Sequence, residues 1–267
     1  MRPSLDRCHN MKIERYLIAF NTIVIKEVSR FTRIWLQTIV PPAVSMTLYF
    51  IIFGSLIGPR IGKMHGVSYM EFMAPGIIMM AIINNSYANV VSSFFSAKFQ
   101  RHIEEMLIAP VSNFTILAGY ITGGVARGMA VGVVVTVVAL FFTDLHVHNY
   151  FIVVLVVVLT SMLFSIAGLL NAIFAKKFDD ISIIPTFVLT PLIYLGGVFY
   201  SIELLPEFGQ IASRFNPILY MVNAFRYGML GVSDINIFMA FAIICIFIVL
   251  LGGYALYLLD KGTGIKS

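Results

Sequence analysis

Apolar residues in this chain come in long unbroken runs separated by short polar connections. Crossing the hydrocarbon core of a bilayer takes about 20 predominantly apolar residues. Six segments approach or exceed that length: Trp35 to Ile57, Phe72 to Phe95, Thr115 to Phe142, Tyr150 to Ala175, Ile183 to Tyr200 and Ile237 to Leu259. Five of them carry no charge, and the third carries only Arg127. The fifth is short and holds Pro185 and Pro191, so it is expected to bend. The pattern predicts an all-α polytopic membrane protein with six transmembrane helices.

Other stretches are patterned but too polar to insert. Between Lys12 and Arg33, at about 100° per residue, Ile13, Leu17, Phe20, Val24, Val28 and Phe31 form one stripe. Lys12, Arg15, Lys26, Arg30 and Arg33 form the opposite one. Such a helix lies in the interface, held partly by anionic lipid. A docking surface for a cytoplasmic partner is the alternative, and one helix can serve both ends. Between the second and third runs, Phe99, Ile103, Met106 and Leu107 recur at helical spacing. Lys98, Arg101, Glu104 and Glu105 point away, and Pro110 ends the segment. A solvated connector explains the charge, but about 18 residues are spent where 2–8 commonly join two helices. Metal binding through His102, Glu104 and Glu105 lacks further ligands at suitable spacing. In the connection Ser201 to Asn236, Ile202, Leu204, Leu205, Phe208 and Ile211 suggest a short interfacial helix. After Asn216-Pro217, Ile218 to Leu230 is too short to cross with Arg226 inside it, and reads as a re-entrant or surface-lying element buried against protein.

Charge then orients the runs. Hydrophobic residues make up 59% of the chain and charged ones 12%, against about a quarter charged in soluble domains; mean hydropathy is +0.92. Of the 18 Lys and Arg residues, seven precede Trp35: Arg2, Arg7, Lys12, Arg15, Lys26, Arg30 and Arg33. Lys98, Arg101, Lys176, Lys177, Lys261 and Lys266 fall on the same side, whereas Arg60, Lys63, Arg214 and Arg226 fall on the other. This bias puts both termini in the cytoplasm, so the net charge of +5 reads as topology and not as nucleic-acid binding. The expected organisation is a cytoplasmic segment 1–34, a membrane domain 35–259 and a cytoplasmic tail 260–267. Met11 is an alternative start, and the polar leader is too long for a cleavable signal peptide.

Polar chemistry inside the runs is sparse. Asn85, Asn89, Ser92 and Ser93 share one face of the second run, and two readings are open: hydrogen bonds between helices, or the lining of a substrate route. Gly119, Gly123, Gly124, Gly128 and Gly132 permit close helix packing in the third. Arg127 there either snorkels to the cytoplasmic phosphates or forms a functional ion pair. Catalytic and metal-binding sets are not found. "GPRIGKM" lacks the glycine and the Ser or Thr of a phosphate loop, and His146 and His148 make only a two-ligand set. No Asp or Glu falls within a run, which counts against a secondary transporter with an intramembrane coupling site.

Three motifs carry a family resemblance. "EEMLIAPVSNFTILAGYI" (Glu104 to Ile121), "PTFVLTPLIYLGGVFYSIELLP" (Pro185 to Pro206) and "NPILYMVNAFRYGMLG" (Asn216 to Gly231) resemble three parts of the membrane-spanning subunit of type-2 ABC exporters. These are the coupling helix, the fifth span and the terminal signature of a family that includes O-antigen, teichoic-acid and drug-efflux permeases. Asn216, Pro217, Phe225 and Arg226 match that signature. The resemblance implies a multi-pass protein of the bacterial inner membrane that pairs with a second copy and with a separate ATPase subunit. ATP and Mg would be bound by that ATPase, and no cofactor by this chain. Glu104, Glu105, Met106, Leu107 and Pro110 would form the coupling contact, the glutamates facing basic groups and Met106 and Leu107 entering a groove on the partner. The N-terminal helix would make a second contact, spans two and five would line the route, and Glu203 to Arg226 would cap the outer exit. The implied substrate is amphipathic, drug-like, lipid-linked or a polysaccharide. A channel or secondary transporter working without an ATPase is the competing reading.

Overall fold

The computed structural model describes residues 3–108 and 110–264, with side chains from Glu14 onward except that of Leu107. The expected roles of the Lys12, Ile13 and Leu107 side chains, and of Lys266, lie outside the described residues. Helix α1 (Pro3–Arg33) leads into α2 (Trp35–Ile61), and a two-residue antiparallel hairpin follows, β1 (Lys63–Met64) and β2 (Val67–Ser68). Then come α3 (Tyr69–Phe99), α4 (His102–Ile108), α5 (Asn113–Leu140), α6 (Tyr150–Phe174) and α7 (Asp180–Tyr194). Helices α8 (Glu207–Arg214), α9 (Pro217–Leu230) and α10 (Ile237–Lys261) complete the chain.

Five of these helices, α2, α3, α5, α6 and α10, are long and apolar enough to cross a membrane. The fifth expected span differs. Helix α7 starts earlier than expected and stops at Tyr194, and at about 1.5 Å per residue it reaches only about 22 Å against a core of about 30 Å. Its prolines do not break it. Pro185 opens a π-helical stretch to Leu189, where the ladder shifts by one residue, so that the Pro185 carbonyl accepts from both the backbone N–H and the hydroxyl of Thr190. The small hairpin is the one departure from all-α structure among the described residues. Its turn needs two left-handed residues, supplied by His65 (φ +50°) and Gly66 (φ +84°).

Helix α3 is the centre. Ser68 caps its start in a reciprocal box, its hydroxyl accepting from Glu71 N–H while the Glu71 carboxylate accepts from Ser68 N–H at 2.9 Å. Helices α5, α6 and α9 enclose it, and α2, α4 and α7 touch it. Close approach depends on missing side chains: a Cβ at Gly168 of α6 would stand 2.6 Å from the Tyr87 carbonyl oxygen. Helix α1 packs along α5, because Gly119 and Gly123 leave room for Ile23 and Glu27. The described start of α1, the last turn of α10, the α3–α4–α5 corner and the α6–α7 connection share one end of the bundle, that of the termini. Lys98 ties two of them by donating to the Ile173 and Ala175 carbonyls (2.6 and 2.7 Å), and Asn113 donates to Asp260 at 2.6 Å. The expectation that Lys98 points to water fails for this reason: the last carbonyls of α6 need donors, and an ammonium supplies them.

Candidate functional site

At the end bearing the termini, α3 breaks at Gln100 and Arg101, whose left-handed backbone (φ +63°) turns the chain into α4. Ile103 is fully buried and Met106 is half-buried against the core. Met106 therefore differs from the expectation that it faces a partner. It lines a cavity of about 250 Å³ between α1 and α4, together with Ala19, Thr22, Ile23 and Lys26. Glu105 is exposed, Glu104 half so, and Ile108 is 85% exposed, as apolar a surface as the helix offers. The helical spacing of Phe99, Ile103, Met106 and Leu107 does not single out Ile108, which stands one turn beyond Glu105 and off the Ile103–Met106 face. Phe99, expected on the buried face, is also exposed, and packs edge-on against Phe178. Pro110 follows as an exposed bend.

The face of α1 that meets the bundle overlaps the expected apolar stripe at Phe31, with Phe20, Val24 and Val28 half-buried, and is turned so that Ile23 and Glu27 enter it. Ile23, Glu27 and Phe31 are buried, whereas Leu17, Ile18 and Ile25 are exposed. Glu27 has no exposed surface. It accepts from Ser93 and pairs with Arg30 at 3.2 Å. Arg30 in turn donates to the Asn89 side-chain and backbone oxygens, both at 2.8 Å, and to Ser92 at 3.3 Å. Farther along, Arg127 donates to Asn85 at 3.1 Å, so it turns inward to a neutral partner and does neither of the two things expected of it. The polar face of α3 thus serves helix contacts at Asn85, Asn89 and Ser93. Ser92 also borders a cavity of about 390 Å³ between α3 and α7, lined by Asn84, Tyr87, Ser182 and Thr186 among others. That lining is uncharged and sets these polar groups beside apolar Ala88, Val91, Ile181 and Pro185.

At the opposite end the signature residues hold α9 in place. Asn216 caps it, accepting from Ile218 N–H at 3.0 Å and donating to the Leu192 carbonyl at 2.6 Å, which joins α9 to α7. Pro217 opens the helix, where no backbone donor is needed. Arg226 is wholly buried and lies 3.9 Å from the Phe72 ring. It donates to the Gly197 carbonyl at 2.7 Å and the Phe72 carbonyl at 3.3 Å. Phe225 closes the side of an apolar cavity of about 240 Å³ with Ile78, Ile82 and Gly132. Helix α9 is therefore buried against protein, pinned at both ends by polar groups reaching carbonyls of other elements.

Residues 18–230 match the model of the ABC-2 type transporter family. The chain belongs to that family. It is 58% identical over 252 residues to the inner membrane transport permease YadH of Escherichia coli (strain K12), covering 94% of this chain and 98% of that one. Nodulation protein J of Rhizobium leguminosarum bv. viciae is 25% identical over 203 residues, 76% of this chain and 78% of its own. The Neorhizobium galegae protein of that name is 24% identical over 208 residues with the same coverage. An ABC-2 chain with these apolar helices is a multi-pass inner-membrane protein and a transport permease subunit. Membership also implies association with an ABC ATPase subunit.

Proposed function

We propose that this permease is the passive half of an ATP-driven exporter, working as two copies driven by two separate ATPase subunits that bind the ATP and Mg. The observation that carries the reading is α4: a short helix turned out of the bundle at Arg101, anchored by Ile103, with Glu105 and Ile108 facing away. A rigid, anchored helix with an acidic and apolar outer face suits a groove with basic rims on a motor subunit. The end bearing both termini is then cytoplasmic, in keeping with its excess of Lys and Arg. Helix α7 with the turn after it serves as the fifth of six spans, and the apolar faces that α2 and α7 leave uncovered meet lipid or the second copy. The uncharged cavity between α3 and α7 favours an amphipathic, drug-like, lipid-linked or polysaccharide substrate over a highly charged one. The buried Glu27 is a poor coupling site for a secondary transporter, because Arg30 and Ser93 already occupy its oxygens.

Glu104→Lys combined with Glu105→Lys is expected to abolish co-purification of the ATPase while the permease still reaches the membrane. Undiminished co-purification and substrate-stimulated hydrolysis in that variant would refute the coupling role of α4. Uphill transport by the purified chain alone in vesicles would refute the passive role itself.

A further inference from the structure

Three connections meet at the end of the bundle remote from the termini: the β1–β2 hairpin, the segment after α7 and the link from α9 to α10. One polar contact joins all three. His65, at the hairpin turn, places Nε2 3.2 Å from Asp234 Oδ1 and 3.3 Å from the Ser201 hydroxyl. The Asp234 side chain is 2% exposed and that of His65 26%. The other carboxylate oxygen of Asp234 accepts from Ile202 N–H at 3.3 Å, and its backbone N–H donates to Asn223 of α9 at 3.1 Å. Oδ1 has no hydrogen-bond partner among the described residues other than this approach by His65.

We propose that His65 and Asp234 form a pH-sensitive latch, closed when the imidazole carries a proton and loosened when it does not. A buried carboxylate oxygen is costly to leave unanswered, and an imidazolium answers it with a charge-assisted bond. A neutral imidazole offers at most an uncharged donor from the same nitrogen, so the Coulombic part of the contact disappears as pH rises. Histidine is the side chain whose charge changes most readily around neutral pH. The other charges around the pair are fixed or point elsewhere. Arg226 lies against the Phe72 ring on which His65 stacks, and acts on Asp234 through its charge, but its hydrogen bonds run to backbone carbonyls. Lys63 is exposed on the first strand. Glu71, Asp144, His146 and His148 line a separate cavity of about 250 Å³ behind Val67, and among the described residues none bonds to Asp234. The latch concerns the shape of this end alone and does not rest on the direction of transport.

Hydrogen exchange on the full chain in lipid nanodiscs, corrected for the intrinsic pH dependence of exchange, tests it. Peptides covering 62–68 and 199–205 are expected to be protected about fivefold more at pH 5.5 than at pH 8.0, the scale of a partly solvated ion pair. His65→Gln, at a partly exposed turn, should lose that step, as should Asp234→Asn, while His146→Gln with His148→Gln should keep it. Equal protection of the wild-type chain at both pH values overturns the latch without any variant having to fold. A step that survives in His65→Gln, or vanishes in the His146/His148 variant, overturns it too.

Discussion

Glu27 carries a negative charge to a place with no exposed surface, and Arg30, one turn on, makes that tolerable. Removing one partner of a buried pair costs about 3–5 kcal/mol, because the other charge is left uncompensated. Lys26 stands 4.0 Å away but is half-exposed, and such pairs are worth about 1 kcal/mol at most. Arg30→Ala should therefore lower the thermal midpoint of the detergent-solubilised chain sharply, and adding Glu27→Gln should recover much of the loss. A double variant no more stable than the single would show that the pair is not what Arg30 provides. The sequence placed Arg30 on the basic, outward stripe, since a helical projection averages polarity and cannot see Asn89 and Ser92 waiting some 60 positions away. It did show that Asn85, Asn89 and Ser93 must turn away from lipid, toward other helices or a polar route. Which partners they find is a matter of packing. Asn216 and Arg226 were legible only as a motif; their targets are the backbone carbonyls of Leu192, Gly197 and Phe72, which no side-chain pattern records.

Among the elements, α5 shows most clearly how spacing becomes contact. Its glycines serve three neighbours on two faces: Gly119 and Gly123 receive α1, while Gly124 and Gly128 receive serines of α3 and α6 and Gly132 receives Ile82 of α3. The four-residue spacing announced close packing, but the split between faces depends on where α1 docks. Gly128→Leu, which would intrude on Ser86 and Ser161, is expected to cost about 1–3 kcal/mol. Gly253→Ala on α10 meets nothing within 4 Å and should stabilise the helix by up to about 1 kcal/mol. Thermal unfolding of both variants in one detergent checks the contrast; similar losses at the two positions would contradict it. Helix α4 was legible as amphipathic, yet its faces were misjudged by a fraction of a turn, since a seven-residue helix offers too few positions to fix its rotation.

For the molecule as a whole, the long runs were legible because bilayer thickness sets a minimum length that no other fold class demands. Helix α7 was the weakest, being short and proline-bearing, and the structure ends it earlier still. Orientation in the membrane follows from basic residues, and cysteine labelling measures it directly. A cysteine at Ser233 should react with an impermeant reagent in intact cells, and one at Ser182 only after permeabilisation; the reverse would invert the protein.

Helix α3 runs 31 residues, about 46 Å, with the Phe72 carbonyl held by Arg226 in its first turn and the corner at Arg101 just past its last. Most of its side chains are jacketed by other helices, so it has little slack in which a local shove at the corner could dissipate. If α4 is gripped by a motor as proposed, the same helix that carries the pull ends against the Arg226 guanidinium at the opposite end of the bundle.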